Sequence, residues 1–238
     1  MHNKQPLFVT VSARILEDIR AGKFQEVLPT EQELASAYGV SRPTIRSALQ
    51  RLNDENIVTT LHGRGTFITG DARSSCLRID KFKGFYQLFS DAGYKVKIEE
   101  VGQEFISTFN IAHELPSEFF SNRLLLIKRI LLCSGAPSVY LEEYIPENFL
   151  ATHEFVDLPD SIYGIVEKLT NHKIKYTISK FLPVLPPENI AEIFSVPHHT
   201  PVFMVNEMHF NMLNQVMIFS RVYISSNNNI ALAVIRTR

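Results

Sequence analysis

The stretch Leu28-Pro29-Thr30-Glu31-Gln32-Glu33-Leu34-Ala35-Ser36-Ala37-Tyr38-Gly39-Val40-Ser41-Arg42-Pro43-Thr44-Ile45-Arg46 decides the fold of the N-terminal part. Leu28 precedes a proline and is held extended. Thr30 and Glu33 have capping-box spacing: the hydroxyl accepts from the amide three residues on, and the carboxylate reaches back. Leu34 and Ala35 then face inward, and Gly39 supplies the left-handed stop that a helix end favours. Ser41 is a good N-cap for the next helix. Pro43 is tolerated in its first turn, where a missing N–H has no partner to lose. Ile45, Ala48, Leu49 and Leu52 follow at i, i+3, i+4, i+7 and make a buried face. Arg42, Thr44, Arg46 and Gln50 lie opposite. Two short helices across a tight turn, the second with a polar face, meet the geometric needs of helix-turn-helix docking on a duplex. That second helix presents its N-terminal side chains, its amides and its positive dipole end.

Upstream, Val11, Ile15 and Ile19 repeat every four residues with Leu16 alongside, an apolar helical stripe that Gly22 ends. Downstream, residues 57–61 are short and β-branched, residues 62–65 read as a turn, and residues 66–69 read as a second strand. The turn is His62-Gly63-Arg64-Gly65. Its glycines let the backbone approach a phosphate while Arg64 reaches into a minor groove. The order is helix, capped helix, capped helix, basic-tipped hairpin.

With those residues in place, the segment resembles the winged helix-turn-helix of GntR-family bacterial transcription regulators. Leu28-Pro29-Thr30-Glu31, Glu33-Leu34-Ala35, Gly39-Val40-Ser41-Arg42, Thr44-Ile45-Arg46 and Gly63-Arg64-Gly65-Thr66-Phe67 carry the likeness, over about residues 10–68. The resemblance implies DNA contacts from Thr30, Gln32, Ser41, Arg42, Thr44, Arg46, Gly63, Arg64 and Gly65. Gln32 stands where the family often has a basic residue, which implies a weaker contact there.

At 238 residues with 45 % apolar content, the chain is long enough for two cored domains. Its 21 % charged residues exclude a wholly disordered chain. No apolar run approaches the ~20 residues of a membrane helix, and charges interrupt the N-terminus where a signal peptide needs an apolar segment. Two cysteines, Cys76 and Cys133, make neither a disulfide framework nor a zinc site, so a cytoplasmic location is expected. Net charge is −1 and little segregated: residues 1–75 hold nine Lys/Arg against eight Asp/Glu. DNA binding therefore rests on where individual charges point, not on global charge.

Residues 71–80 are small and polar and read as a linker between domains at 1–70 and 81–238. Beyond them β-branched and aromatic residues dominate. Strands are expected over 96–105, 124–133, 139–145, 202–210, 216–224 and 230–235, and helices over 84–92, 161–169 and 187–194. This is an α+β domain with a largely antiparallel sheet. Residues 128–146 and 206–224 share strand, polar turn, strand and a Tyr-Ile pair, Tyr144-Ile145 and Tyr223-Ile224, which suits a pseudo-symmetric sheet.

This half resembles the UTRA effector-binding domain of the HutC subfamily, whose fold is similar to chorismate lyase. The likeness rests on Lys128-Arg129, Gly135-Ala136-Pro137, Glu143-Tyr144-Ile145-Pro146, Ser161-Ile162-Tyr163, Pro201-Val202 and Ser220-Arg221. It implies a small-molecule pocket, often for a sugar phosphate or carboxylate, from Arg129, Glu142 or Glu143, Ser161, Tyr163, Ser220 and Arg221. Ser161 starts a helix and suits an anion near free amides. Two family arginines are replaced, by Leu131 and Glu207, a family glutamate by Ile218, and the terminal segment by Ser225-Ser226-Asn227-Asn228-Asn229. Fewer charge-assisted bonds imply an effector less anionic than a sugar phosphate. The alternative for Arg129 and Glu143 is that they pair with each other across the hairpin.

The expectation is a homodimeric repressor, binding a palindromic double-stranded DNA operator and a small-molecule effector. No cofactor, metal or membrane partner is expected. Two other readings stand beside it: a DNA-binding regulator without an effector, and lyase-type activity in the C-terminal half. No acid–base pair is placed by a motif for the latter, so no enzymatic function is expected.

Overall fold

The computed structural model describes residues 6–69, 76–108, 115, 117–119, 123–151, 157–227 and 230–234. The chain divides into two compact units, Met1–Ser75 and Cys76–Arg238.

In the first unit, helix α1 is Leu7–Arg20, α2 is Glu31–Tyr38 and α3 is Arg42–Asp54. Strands β1 (Val58–Leu61) and β2 (Gly65–Ile68) form the hairpin. Val11, Ile15 and Ile19 meet Leu34, Ile45, Leu49 and Leu52 in one core, so the periodic stripes pack on each other. Both caps form. Thr30 Oγ accepts from the Glu33 amide while Glu33 accepts from the Thr30 amide at 2.8 Å. Gly39 adopts φ 66°, and Ser41 accepts from the Thr44 amide. The extended stretch before Pro29 joins the wing: the Leu28 amide donates to the Thr66 carbonyl, and the Ile68 amide to the Glu26 carbonyl. Tyr38 donates to Asp18 at 2.5 Å and ties α2 to α1.

The second unit is built on a six-stranded sheet of order β4-β5-β6-β9-β8-β7. The strands are β4 (Val96–Ser107), β5 (Arg123–Cys133), β6 (Ala136–Pro146), β7 (Ile174–Val184), β8 (Val202–Asn211) and β9 (Val216–Ile224). Every neighbouring pair is antiparallel. The helices are α4 (Phe85–Asp91), α5 (Ile162–Thr170) and α6 (Glu188–Phe194). Alternate residues of β6 face opposite layers. Val139 and Leu141 enter the core under α4, whereas Tyr140 enters the one under α6. Ile145 lies with Leu125, Ile127 and the apolar face of α5. The sheet therefore carries α4 and α5 on one face and α6 on the other. Its strand order reads the same outward from the β6–β9 junction, and each half opens with a helix and supplies three antiparallel strands, with α6 inserted between β7 and β8 in the second.

Four expectations are revised. Leu77–Arg78, inside the stretch read as a linker, is strand β3, and it pairs in parallel with β10, Leu232–Ala233. Residues 71–75 of that linker, with Asn228, Asn229 and Ile235, lie outside the described residues. The last strand is two residues long and belongs to this separate pair rather than the main sheet. Strand β4 runs to Ser107. Strand β7 had no counterpart in the sequence reading: it is an edge strand with no fully buried residue, so it lacks a clear alternation.

Candidate DNA-binding face and effector cavity

The outer face of α3 is exposed at Arg42 and Arg46, with Thr44 half-buried between them. Thr44 shares a 2.8 Å hydrogen bond with the Ser41 hydroxyl, so the cap also fixes the first turn of the helix. Arg46 reaches back to α2 and donates twice to Glu31, at 3.1 and 2.8 Å. That guanidinium holds the Glu31 carboxyl below its ordinary range. The pair is exposed, so it holds Arg46 only weakly. Thr30, Gln32, Glu33 and Ser36 line an open depression on the outer side of α2. At the hairpin tip Gly63 and Gly65 adopt φ 71° and 111°, which L side chains rarely reach. Arg64 between them is exposed. Thr30, Gln32, Ser41, Arg42, Thr44, Arg46 and Arg64 thus lie on α2, α3 and the wing of one unit.

In the second unit, strand register draws a polar line across the face that carries α4 and α5. Glu143 lies opposite Ser220, Ser220 opposite Glu207, and Glu207 opposite Ser179. Arg129 on β5 joins the line. It donates to both Glu143 carboxylate oxygens, at 3.0 and 2.7 Å. It also donates to the Pro159 and Asp160 carbonyls, at 3.3 and 3.1 Å, just before α5. Both side chains are almost wholly buried. His209, two residues along β8 from Glu207, shares hydrogen bonds with Thr177 at 2.8 Å and Ser220 at 3.1 Å. Burial pulls its imidazole down to about 3, so it stays neutral.

Glu207 differs from Glu143. It accepts from the Ser179 hydroxyl at 2.6 Å, and neutral His209 stands 3.6 Å away. Burial pushes its carboxyl up to about 7; Ser179 lowers it, and the charge of Glu143 raises it further. A cavity of about 190 Å³ opens beside it, lined among others by Phe82, Phe85, Tyr163, Thr177 and Ser179. Phe82 stacks on Tyr163 with centroids 4.6 Å apart. Burial raises the Tyr163 phenol to about 12, so it stays protonated. A second, narrower cavity of about 10 Å³ reaches Arg129, Glu143, Ser220 and again Glu207.

The structure divides the expected effector residues. Arg129, Glu143, Tyr163 and Ser220 converge on these two cavities. Glu142 and Arg221 do not: they lie opposite each other on β6 and β9, one position out of phase, and so face the other side of the sheet. There Arg221 approaches Glu142 at 3.8 Å, and Tyr144 donates to Glu142 at 2.9 Å. Ser161 begins α5, but its hydroxyl makes no capping bond and lines neither cavity. Arg129 and Glu143 take the hairpin-pair alternative, which occupies the guanidinium that an anion would need. Sequence reasoning missed Ser179, Thr177, His209 and Phe82, and it met Glu207 only as a departure. The pairing of β8 with β9, which sets Glu207 opposite Ser220, is the signal that finds it.

Comparisons with known proteins agree with both units. Residues 7–68 match the family described as "Bacterial regulatory proteins, gntR family", and residues 111–228 match the UTRA domain. The probable fructoselysine utilization operon transcriptional repressor of Escherichia coli K12 is 25 % identical, over 95 % of this chain and 93 % of its own length. The E. coli K12 repressor of the mannosyl-D-glycerate transport/metabolism system is 22 % identical over 83 % of this chain and 82 % of its own length. The repressor NagR of Bacillus subtilis is 25 % identical over 85 % of each. Among solved structures, PhnF from Mycobacterium smegmatis superposes with a TM-score of 0.60 at 16 % identity, over 95 % of this chain and 99 % of that one. The possible transcriptional regulator YydK from Bacillus subtilis gives 0.61 at 16 % identity, over 97 % and 99 %; both show a shared fold. No helix among the described residues is long and apolar enough to cross a membrane. A capped helix-turn-helix with a basic wing, followed by a six-stranded antiparallel effector domain, makes this chain a member of the GntR family of DNA-binding transcription regulators, of the HutC type that carries a UTRA domain.

Proposed function

We propose that the chain is a cytoplasmic, homodimeric repressor whose operator affinity falls when a small metabolite fills the cavity beside Glu207. Arg42, Thr44 and Arg46 on α3 read a major groove, Ser41 and the first turn of α2 position the helix on phosphates, and Arg64 enters the adjacent minor groove. Two copies read the halves of a palindrome about one helical turn apart. The second unit acts as a sensor rather than a catalyst.

The observation that carries this reading is the wing tip. Arg64 is exposed between two positive-φ glycines and makes no side-chain hydrogen bond or ion pair among the described residues. A guanidinium exposed at a hairpin tip suits a nucleic-acid partner. Three relatives named above are repressors, two of them of a transport, metabolism or utilization system. A repressor of that kind serves its system by releasing DNA when the nutrient arrives, which supports release as the direction of the effector's action.

Fluorescence anisotropy on a DNA fragment from upstream of the chain's own gene tests the reading. Arg64→Ala and Arg46→Ala are each expected to weaken binding by about ten- to a hundredfold, from the 1–3 kcal/mol of a lost groove contact. Circular dichroism and sedimentation should show both variants folded and dimeric. Unchanged affinity in both variants would overturn the assignment.

A further inference from the structure

The two halves of the sheet place one charged residue each at the same point. Aligning the hairpins on Tyr144-Ile145 and Tyr223-Ile224 sets Leu141 on Ser220 along β6 and β9. Their partners on β5 and β8 are Arg129 and Glu207, which therefore occupy equivalent positions of opposite charge. Arg129 finds its counter-charge two residues beyond Leu141, at Glu143. The equivalent place, two residues beyond Ser220, holds Val222, which is fully buried and packed in the apolar core under α4. The pairing that neutralises Arg129 thus offers Glu207 no counter-charge.

The other elements around Glu207 do not supply the charge either. From β7 it meets the Ser179 hydroxyl, and from its own strand the neutral imidazole of His209. From β6 it feels Glu143, a like charge already bound to Arg129. From α5 it faces the protonated phenol of Tyr163. The segment before α4 brings Asp80, Lys81 and Lys83 to the same cavity. Asp80 is bound by Arg78 at 2.6 Å and also feels Lys81, while Lys83 is bound to Asp91 at 2.6 Å. Glu207 is 16 % exposed, and no lysine or arginine pairs with it among the described residues. A carboxylate so placed is costly without a cation. The cavity it borders has aromatic walls, Phe82 stacked on Tyr163 with Phe85 and Phe181 nearby. Aromatic faces beside a carboxylate are the surroundings an organic ammonium prefers.

We propose that the cavity beside Glu207 takes a basic amine: the effector carries an ammonium group that supplies the counter-charge the fold withholds from Glu207. This rests on the reading of that cavity as the effector site. The ammonium donates to Glu207 and lies against the Phe82–Tyr163 pair. Thr177 and Ser179 line the same cavity, and their hydroxyl oxygens can accept from the rest of the ligand, as the hydroxyls of an amino sugar or amino polyol would require.

The test is a thermal-shift and calorimetric screen of the full-length dimer. The probes are hexosamines, 1-amino-1-deoxyhexitols and aliphatic diamines, each beside its hydroxyl and phosphate counterparts. The expected result is stabilisation by at least one amine and none by its counterparts. Affinity for an amine that stays protonated through pH 8, such as an aminodeoxyhexitol or a diamine, should rise about tenfold from pH 6 to pH 8 as Glu207 ionises. Glu207→Gln keeps the shape and the Ser179 bond, and should weaken the amine at least tenfold and flatten that pH profile. Ser179→Phe, which fills the cavity, serves as the second variant. A screen in which no amine binds overturns the proposal. Binding of a phosphate or neutral probe that Ser179→Phe abolishes and Glu207→Gln leaves intact also overturns it, while keeping the cavity as the effector site. Binding that survives Ser179→Phe overturns both.

Discussion

Arg129 keeps its charge in the interior because four acceptors surround it, two from Glu143 and two carbonyls ahead of α5. A pair this buried is worth little against an apolar pair of the same shape, but breaking one side leaves a stranded charge. Glu143→Gln is therefore expected to destabilise the second unit by about 3–5 kcal/mol, and Arg129→Met with Glu143→Leu together by much less. Urea unfolding measures both. Glu207 and His209 give a pH signature of opposite signs. Glu207 is raised in the folded state, so between about 4.5 and 7 the folded chain holds a proton the unfolded chain has lost, and stability falls as pH rises. His209 is lowered, so between 6.5 and about 3 the unfolded chain holds the extra proton, and stability falls as pH falls. From pH 4.5 to 6.5 the two slopes oppose each other. Glu207→Gln removes one, and its stability should gain a slope of about +1.4 kcal/mol per pH unit over the wild type in that window. Equal slopes in the two proteins would contradict the burial of Glu207, since His209 contributes alike to both.

Among the elements, the N-terminal helices begin and end where their own side chains dictate. Thr30→Ala removes the capping box of α2 and should cost about 1 kcal/mol, seen as a lower urea midpoint for the first unit. Gly39→Val forces a β-branched residue to φ 66°, and should cost more than Thr30→Ala although no atom lies within 4 Å of the added Cβ. All of this was legible, because a cap, a stop and an i, i+3, i+4 stripe are local signals. Strand β7 was not. It lies at the sheet edge, its Ile178 and Leu182 are exposed, and its pattern carries no buried face to read. Strand β3 was hidden for a related reason: two residues make no period, and its partners lie far along the chain, where the Ala231 carbonyl accepts from the Leu77 amide and the Ala233 carbonyl from the Ile79 amide.

Across the whole molecule, each unit closes its own core. Ile15, Ile19, Ile45 and Leu52 are buried within the first, and Phe89, Leu131, Ile165 and Val222 within the second. A fragment of residues 76–238 should therefore unfold cooperatively on its own and show the same ligand-induced thermal shift as the full chain. A fragment that is unfolded by circular dichroism would show that the second core depends on the first. The sequence by itself determined the helix-turn-helix, its wing and the family, because those rest on caps, turns and periods written within a few residues of one another. It also named Arg129, Glu143, Tyr163 and Ser220, which line the two cavities, together with Glu142, Ser161 and Arg221, which do not. Which of the polar residues meet was decided only by the tertiary structure. Glu142 and Glu143 are neighbours in sequence yet face opposite sides of the sheet, since side chains alternate along a strand. Glu207 reaches Ser179 across 28 positions and Ser220 across 13, through a register fixed by apolar residues packing on both faces. Whether a buried charge has a partner is settled by that register, and no local pattern in the chain records it.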